Sequence, residues 1–366
     1  MAEITLKSLA HTYLSDPESP QDYAIREMNH VWQQGGAYAL LGPSGCGKST
    51  LLNIISGLLE PSSGDVLFDG ERVNALPPEQ RNIAQVFQFP VVYDTMTVYD
   101  NLAFPLRNVK APQARVHERV MEVADVLELT SQLKRKAKNL TADEKQKVSM
   151  GRGLVRDDVS AILFDEPLTV IDPQLKWKLR RKLKEIHQRF EITMVYVTHD
   201  QLEASTFADK IAVMYEGQVV QFGTPRELFE TPNHTFVGYF IGSPGMNFFD
   251  VSLHDGRVMV DDTELSVGSG VRRAIEGARS SNVKLGIRPE FVEVHAAPVE
   301  AGMEAVVEHA QDLGTYSILY LRLGDTPLKA RIEEDQAVPV GCAYLRFPDE
   351  RLGLYVDEFR VEIDHE

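Results

Sequence analysis

The run Gly42-Pro43-Ser44-Gly45-Cys46-Gly47-Lys48-Ser49 constrains this chain more than any other stretch. It satisfies the phosphate-loop spacing, a glycine and four residues followed by Gly-Lys-Ser. Its surroundings match what that loop needs. Ala37–Leu41 reads as a short apolar strand ending at the loop, and the segment KSTLLNIISGLL, from Lys48 to Leu59, places apolar residues at helical spacing after it. Glycines let backbone amides turn toward an anion, Lys48 would neutralise β- and γ-phosphates, and Ser49 would offer its hydroxyl to Mg²⁺. The helix N-terminus beginning at Lys48 and Ser49, with Thr50 next, adds favourable partial charge.

A second apolar run, Ala161–Phe164, ends in Asp165 and Glu166. Two carboxylates at the C-terminal end of a strand lie where open α/β sheets bind ligands. Asp165 is expected to hold Mg²⁺, and Glu166, pointing to the other side of the strand, to polarise water as a general base. By itself an Asp-Glu pair is more often a solvated strand end; beside a phosphate loop the functional reading is favoured.

The strand signals Ser160–Asp165 and Thr193–Thr198 flank the helix-like QLKWKLRRKLKEIHQRF, which implies a right-handed parallel crossover. Ile4–Tyr13 alternates like a strand, and Gly64–Val73 reads as strand, turn, strand. Between Asn101 and Gly153 the period becomes helical, with VHERVMEVADVLEL and KQKVSMGRGLVR as two amphipathic helices. Beyond Thr235 come short β-type runs broken by Gly, Pro and Asp, such as GRVMVDD and YSILYLRLGD. The expected fold is thus α/β, a P-loop nucleotide-binding domain over residues 1–235 with a parallel core sheet and a helical subdomain at about 90–158. A small all-β, OB-like domain follows at 236–366.

Composition excludes several classes. The 366 residues carry a net charge of -16, with a sequence pI near 5.1, which argues against nucleic acid or anionic lipid as partner through the overall field. No apolar run approaches the ~20 residues that cross a bilayer. The start MAEITLKSLA lacks a signal-peptide pattern, so a cytoplasmic chain is expected. Cys46 and Cys342 have no metal-like spacing and read as reduced thiols. Cys46 opens a helix, where a thiol pKa can fall; a small tolerated residue is the plainer reading.

These residues, with Gln88 in QVFQFP, Asp172 in TVIDP and His199 in VTHD, resemble the motif order of ABC-transporter ATPases. IGSPGMNF and LGIRPE narrow the resemblance to the maltose-type carbohydrate-importer ATPases with a regulatory β domain. FQFPVVYDTMTVYDN together with LTADEKQKVSMGRGLVR is similar to the paired ATPases of bacterial glycerol importers. The resemblance implies that ATP and Mg²⁺ are the cofactors, with Ser49, Gln88 and Asp165 at the metal. It gives Gln88 the sensing of metal and attacking water, His199 the γ-phosphate, and Asp172 the dimer seam. Tyr13 falls where the family stacks an aromatic on adenine, with Tyr23 as the weaker candidate and a packed surface tyrosine as the plain reading. It further implies two membrane-spanning permease subunits, a periplasmic or extracellular solute-binding protein, and a location on the cytoplasmic face of the cell membrane.

One motif departs from the pattern. The family signature Leu-Ser-Gly-Gly-Gln aligns here with Leu140-Thr141-Ala142-Asp143-Glu144. Both glycines that allow close backbone approach are gone, and two acids stand at a helix N-terminus. A carboxylate ~6 Å from a phosphate charge would be repelled by about 3 kcal/mol at an effective dielectric of about 20, more than the ~1 kcal/mol of helix-dipole attraction. In such dimers one chain's phosphate loop meets the other's signature. A heterodimer with a second homologous ATPase that keeps its signature is therefore expected, and an ATP-binding regulatory subunit with little turnover is the alternative.

Overall fold

A computed structural model describes residues 2–156, 159–169 and 171–364. The chain divides into two compact units, Met1–Pro225 and Arg226–Glu366. The division falls before the expected 235/236 boundary because the helices Pro225–Glu230 and Thr235–Phe240 pack with the β-rich part. Residues 157–158, at the end of the expected helical insert, lie outside the described residues.

The first unit opens with β1 (Ile4–Thr12) and β2 (Tyr23–Trp32), then β3 (Ala37–Leu41), α1 (Lys48–Ser56), β4 (Ser63–Phe68) and β5 (Glu71–Arg72). β6 (Ile83–Val86), α2 (Val98–Asn108), α3 (Gln113–Val126) and α4 (Ala142–Leu154) follow. The unit closes with β7 (Ala161–Asp165), α5 (Pro173–Phe190), β8 (Met194–Thr198), α6 (Gln201–Phe207), β9 (Lys210–Tyr215) and β10 (Gln218–Gly223). Its main sheet runs β10-β9-β3-β8-β7-β6, parallel except for β9 against β10. A second, antiparallel sheet runs β2-β1-β4-β5.

β3 and β8 are buried along their full length, which explains why their sequences are nearly unbroken apolar runs rather than alternating ones. The register aligns Leu41 with Thr198, Val197 with Asp165, and Phe164 with Val86. Four strands therefore end side by side, and the chain leaves each of them along one edge of the sheet. Leu40, Leu51, Leu52, Ile55, Leu163, Val195 and Ala212 seal the core between α1 and the sheet.

The end of α1 is held by Arg81, which sequence reading passed over. It is 3% exposed, and its guanidinium donates to the carbonyls of Ile54 and Ile55 at 2.7 and 2.9 Å, and to Leu76 and Asn74 at 3.0 Å each. These include carbonyls of the last turn of α1, where the only backbone amide that reaches them among the described residues is that of Gly57, 3.2 Å from the Ile54 oxygen.

The second unit is mostly antiparallel. Asn247–Asp250, Val283–Ile287, Gly353–Val356 and Phe359–Val361 form one sheet in that order. Met303–Asp312, Tyr316–Leu323 and Thr326–Glu333 form the long meander of another, extended by Cys342–Arg346 and Glu293–His295. Phe249, Leu285, Leu319, Leu345 and Leu354 lie in one core. Arg288, of LGIRPE, is 2% exposed and donates to the carbonyls of Phe229, Gly238, Ile241 and Leu228.

Candidate nucleotide site

The loop after β3 wraps the start of α1 through two glycines in the left-handed region, Gly45 at φ +83° and Gly47 at φ +100°. A Cβ at position 47 would stand 2.3 Å from the Ala24 carbonyl oxygen and 2.8 Å from Ile25 Cδ1, so only glycine fits there. Lys48 is 6% exposed, and its Nζ donates to the carbonyls of Gly42 at 2.9 Å and Pro43 at 2.8 Å. The cation thus sits under the loop that the Gly42–Ser49 pattern describes. Ser44 and Gly45 are exposed at its tip.

Asp165, at the end of β7, accepts a hydrogen bond from Ser49 Oγ at 3.0 Å. Burial pushes its carboxyl above the usual carboxylate range; the Ser49 hydrogen bond pulls the other way, and the neighbouring Glu166 charge adds to the rise. A hydroxyl and a carboxylate oxygen so placed form the hard oxygen pair that suits Mg²⁺. Among the described residues no group of three or more His, Cys, Asp or Glu could hold a metal by itself. The remaining ligands would then be phosphate oxygens and water.

Glu166 follows with φ +44°, a left-handed conformation that costs a non-glycine residue energy and turns the chain sharply off β7. Its amide donates to the Val197 carbonyl at 3.0 Å. Its Oε2 lies 3.3 Å from His199 Nδ1 and 3.4 Å from Thr169 Oγ1. His199 stands immediately after β8. The neighbouring strands β7 and β8 therefore bring a carboxylate and an imidazole together from positions far apart in sequence.

Tyr13 follows β1, is 67% exposed, and its hydroxyl lies 3.1 Å from Thr50 Oγ1. An exposed aromatic ring thus stands beside the first turn of α1. Tyr23, the weaker candidate, is the half-buried first residue of β2. Gln88 lies half-buried in the segment after β6.

Gln146, which sequence reading overlooked, lies within α4 and is wholly buried. Its Nε2 donates to the carbonyls of Phe87 at 3.1 Å and Pro167 at 2.9 Å. One amide ties the residue before Gln88 to the residue after Glu166. The only sequence signal was a polar residue on the inward side of a helix.

The signature segment requires a correction. Thr141 caps α4, and the two acids turn back on their own helix. Thr141 N donates to Glu144 Oε2 at 2.9 Å and Glu144 N to Thr141 Oγ1 at 3.2 Å, a reciprocal capping box. Arg135 reaches Glu144 Oε1 at 3.2 Å, and Lys147 lies 3.7 Å from Asp143. Both carboxylates are countered locally, which weakens the repulsion expected of bare acids. Leu140 is 8% exposed while Thr141 and Ala142 are exposed. Asp172 caps α5, accepting from Gln174 N at 2.8 Å. Among the described residues, no hydrogen bond or ion pair joins Leu140–Glu144 or Asp172 to the phosphate loop within the chain.

Cys46 follows the plainer reading. It is 5% exposed, and burial pushes its thiol up despite the nearby Lys48 charge, so the helix start does not activate it.

A phosphate loop at the carboxyl edge of a parallel sheet, with a hydroxyl–carboxylate pair and a carboxylate–imidazole pair on the adjoining strands, defines a nucleotide-hydrolysing domain. Residues 25–169 match the family described as ABC transporter, residues 242–292 the MalK OB fold domain, and residues 285–352 the TOBE domain. The oligosaccharides import ATP-binding protein MsmX of Bacillus subtilis is 39% identical over 91% of this chain and 91% of its own length. The trehalose/maltose import ATP-binding protein MalK of Thermococcus litoralis is 40% identical over 87% of this chain and 89% of its own. The sn-glycerol-3-phosphate import ATP-binding protein UgpC of Psychromonas ingrahamii is 38% identical over 99% and 94%. Among solved structures, cbiO1 of Clostridium perfringens superposes with a TM-score of 0.56 at 28% identity, covering 62% of this chain and 90% of that one. The dimeric, ADP- and Pi-bound cassette MJ0796 gives 0.53 at 29% identity, covering 60% and 98%.

The chain belongs to the ABC transporter family, as an import ATP-binding protein: an ATPase coupled to transport. Among the described residues no helix is long and apolar enough to cross a membrane.

Proposed function

We propose that this chain powers uptake of a carbohydrate or polyol, a class that includes glycerol and its phosphate, by hydrolysing ATP at an interface between two ATPase subunits. The names of the relatives support the substrate class: oligosaccharide, trehalose/maltose and glycerol phosphate import. The observation that carries the chemistry is the Glu166–His199 pair at 3.3 Å beside the phosphate loop. In this reading Glu166 takes the proton of the attacking water, and His199 holds Glu166 in place and meets the γ-phosphate. Lys48 and the amides of Gly45–Thr50 hold the phosphates, Tyr13 stacks on adenine, and Gln88 orients the water. Mg²⁺ held by Ser49 and Asp165 would neutralise charge on the β- and γ-oxygens.

Near Gln88 a cleft of about 460 Å³ is lined by Phe87, Val91, Phe104, Val109 and Arg152, with Phe89 70% exposed nearby. An exposed apolar cleft next to the catalytic glutamine suits a segment of a membrane permease, which would place the chain on the cytoplasmic face of the membrane, fed by a solute-binding protein outside.

The ATPase partner is proposed to be a second, homologous chain whose signature keeps its glycines, because Ala142 and Asp143 deny close backbone approach. The local pairing of Asp143 and Glu144 favours the other reading, a homodimer whose acids do not repel nucleotide. Steady-state ATP hydrolysis by this chain alone, and mixed with the homologous ATPase encoded beside it, separates the two, with Glu166→Gln in each arm. Turnover only in the mixture, abolished by Glu166→Gln, supports the heterodimer. Full turnover alone sinks it. Turnover of the mixture that survives Glu166→Gln makes this chain a regulatory subunit.

A further inference from the structure

One face of α5 is unlike the rest of this acidic chain. Trp177, Arg180, Arg181, Lys184 and Gln188 recur at helical spacing and, with Thr206 of α6, line a cleft of about 450 Å³. The opposite face, Leu179, Leu183 and Ile186, is buried in the core. Trp177 is 54% exposed, although a surface position on a charged helix has no packing reason to carry an indole.

Arg180 is 8% exposed, and its Nε–H is sealed from water with no acceptor among the described residues. A buried donor left unpaired is costly unless something else supplies the acceptor. Its Nη1 lies 3.8 Å from Glu203 Oε1, an oxygen that Lys176 also approaches at 3.5 Å. Structural pairing with Glu203 explains one edge of the guanidinium but neither the free Nε–H nor the flanking cations and indole. Glu185 lines the cleft as well, but its carboxylate already takes Arg181 at 3.1 Å and Lys182 at 2.8 Å.

Glu203 leads back to the nucleotide site. It is 4% exposed, and its Oε2 accepts from Tyr196 Oη at 3.0 Å and Thr198 Oγ1 at 3.1 Å. Thr198 is the last residue of β8, immediately before His199, and its Oγ1 accepts from Asp200 N at 3.0 Å. Glu203 thus joins Arg180 to the turn that presents His199.

We propose that this cleft binds a small phosphorylated ring compound, its phosphate on Arg180, Arg181 and Lys184 and its ring on Trp177, and that occupancy alters ATP turnover through Glu203 and Thr198. Guanidinium and ammonium groups converging beside an indole supply the charge and the flat apolar surface that such a molecule needs. A sugar phosphate and a nucleoside monophosphate share this chemistry.

The test uses the full chain in the assembly that hydrolyses ATP. The protein has two tryptophans, and Trp32 is fully buried, so ligand-dependent emission reports on Trp177. Glucose 6-phosphate, AMP and inorganic phosphate are titrated separately against the native chain and the Arg181→Glu/Lys184→Glu variant. A saturable emission change with glucose 6-phosphate or AMP, weakened about tenfold or more in the variant, supports the site. A rate change at the same concentrations, absent in the variant, supports the relay, and whichever compound responds identifies the source. No saturable change with either ring compound, an equal response in the variant, or inorganic phosphate binding as tightly overturns the site. Saturation without a rate change overturns the relay. The fluorescence arm is independent of which substrate the transporter carries.

Discussion

Replacing Arg81 with Met leaves the P-loop helix its length and apolar packing but removes the guanidinium donors from four carbonyls, those of Ile54, Ile55, Leu76 and Asn74, of which Ile54 keeps the Gly57 amide. Hydrogen bonds to a charged group contribute roughly 1.5–3 kcal/mol each. Summing four of them gives roughly 6–12 kcal/mol, comparable with the roughly 5–15 kcal/mol of a whole domain, so the sum overcounts. Water reaching some freed carbonyls, and the lost cost of burying a cation, both reduce it. Breaking a buried charged contact on one side costs about 3–5 kcal/mol, and that is the expected range here. For a unit of this size the melting temperature would fall by roughly 10 °C. Both tryptophans lie in the first unit, so urea unfolding followed by their emission reads that unit alone. Arg81→Lys keeps the charge but gathers its donors on one nitrogen, and should recover only part of the loss. A loss below about 1 kcal/mol for Arg81→Met, at an unchanged dependence on urea, would refute the claim that these carbonyls depend on the guanidinium.

Three further outcomes follow from the same geometry. His30 stands edge-on to Trp32 and Phe222 with its Nε2 sealed from water, and burial pulls its pKa down to about 4. Between pH 4 and 6.5 the unfolded chain binds the proton and the folded one does not, so the His30 contribution to stability is lost as pH falls through that window. The loss reaches about 3 kcal/mol near pH 4, and His30→Phe should flatten it in urea unfolding curves taken across the window. Gly47→Ala forces a Cβ onto the Ala24 carbonyl at φ +100°, and nucleotide affinity measured by fluorescent-ATP titration should drop at least about tenfold. Gln146→Leu removes the amide joining the Phe87 and Pro167 carbonyls, and should slow ATP turnover while leaving nucleotide affinity within about threefold, a split that equal losses in both would contradict.

The phosphate loop was readable without coordinates because its chemistry is contiguous. Gly47, Lys48 and Ser49 must be neighbours to wrap one anion at one helix start, so spacing alone exposes them. The apolar runs at Ala37–Leu41, Ala161–Phe164 and Met194–Thr198 were readable for a related reason, since strands buried on both faces admit almost no polar residue. β2, β6 and β10 left weaker signals, because edge and half-buried strands mix polar and apolar residues.

Other features depend on partners distant along the chain. Arg81 looks like a surface arginine until the α1 carbonyls meet it, and Gln146 looks like one more polar helix residue until the two loops converge on its amide. Asp143 and Glu144 read as bare acids on a helix N-terminus, yet Arg135, Lys147 and Thr141 counter them, and which partner an acid finds is decided by packing. Cys46 likewise owes its raised pKa to burial rather than to the helix start beside it. Local spacing by itself determined the phosphate loop, the parallel core and the order of the motifs. The tertiary structure decided which strands stand side by side, and with them the Glu166–His199 contact, because strand order in a sheet is chosen by long-range packing that no short run of residues encodes.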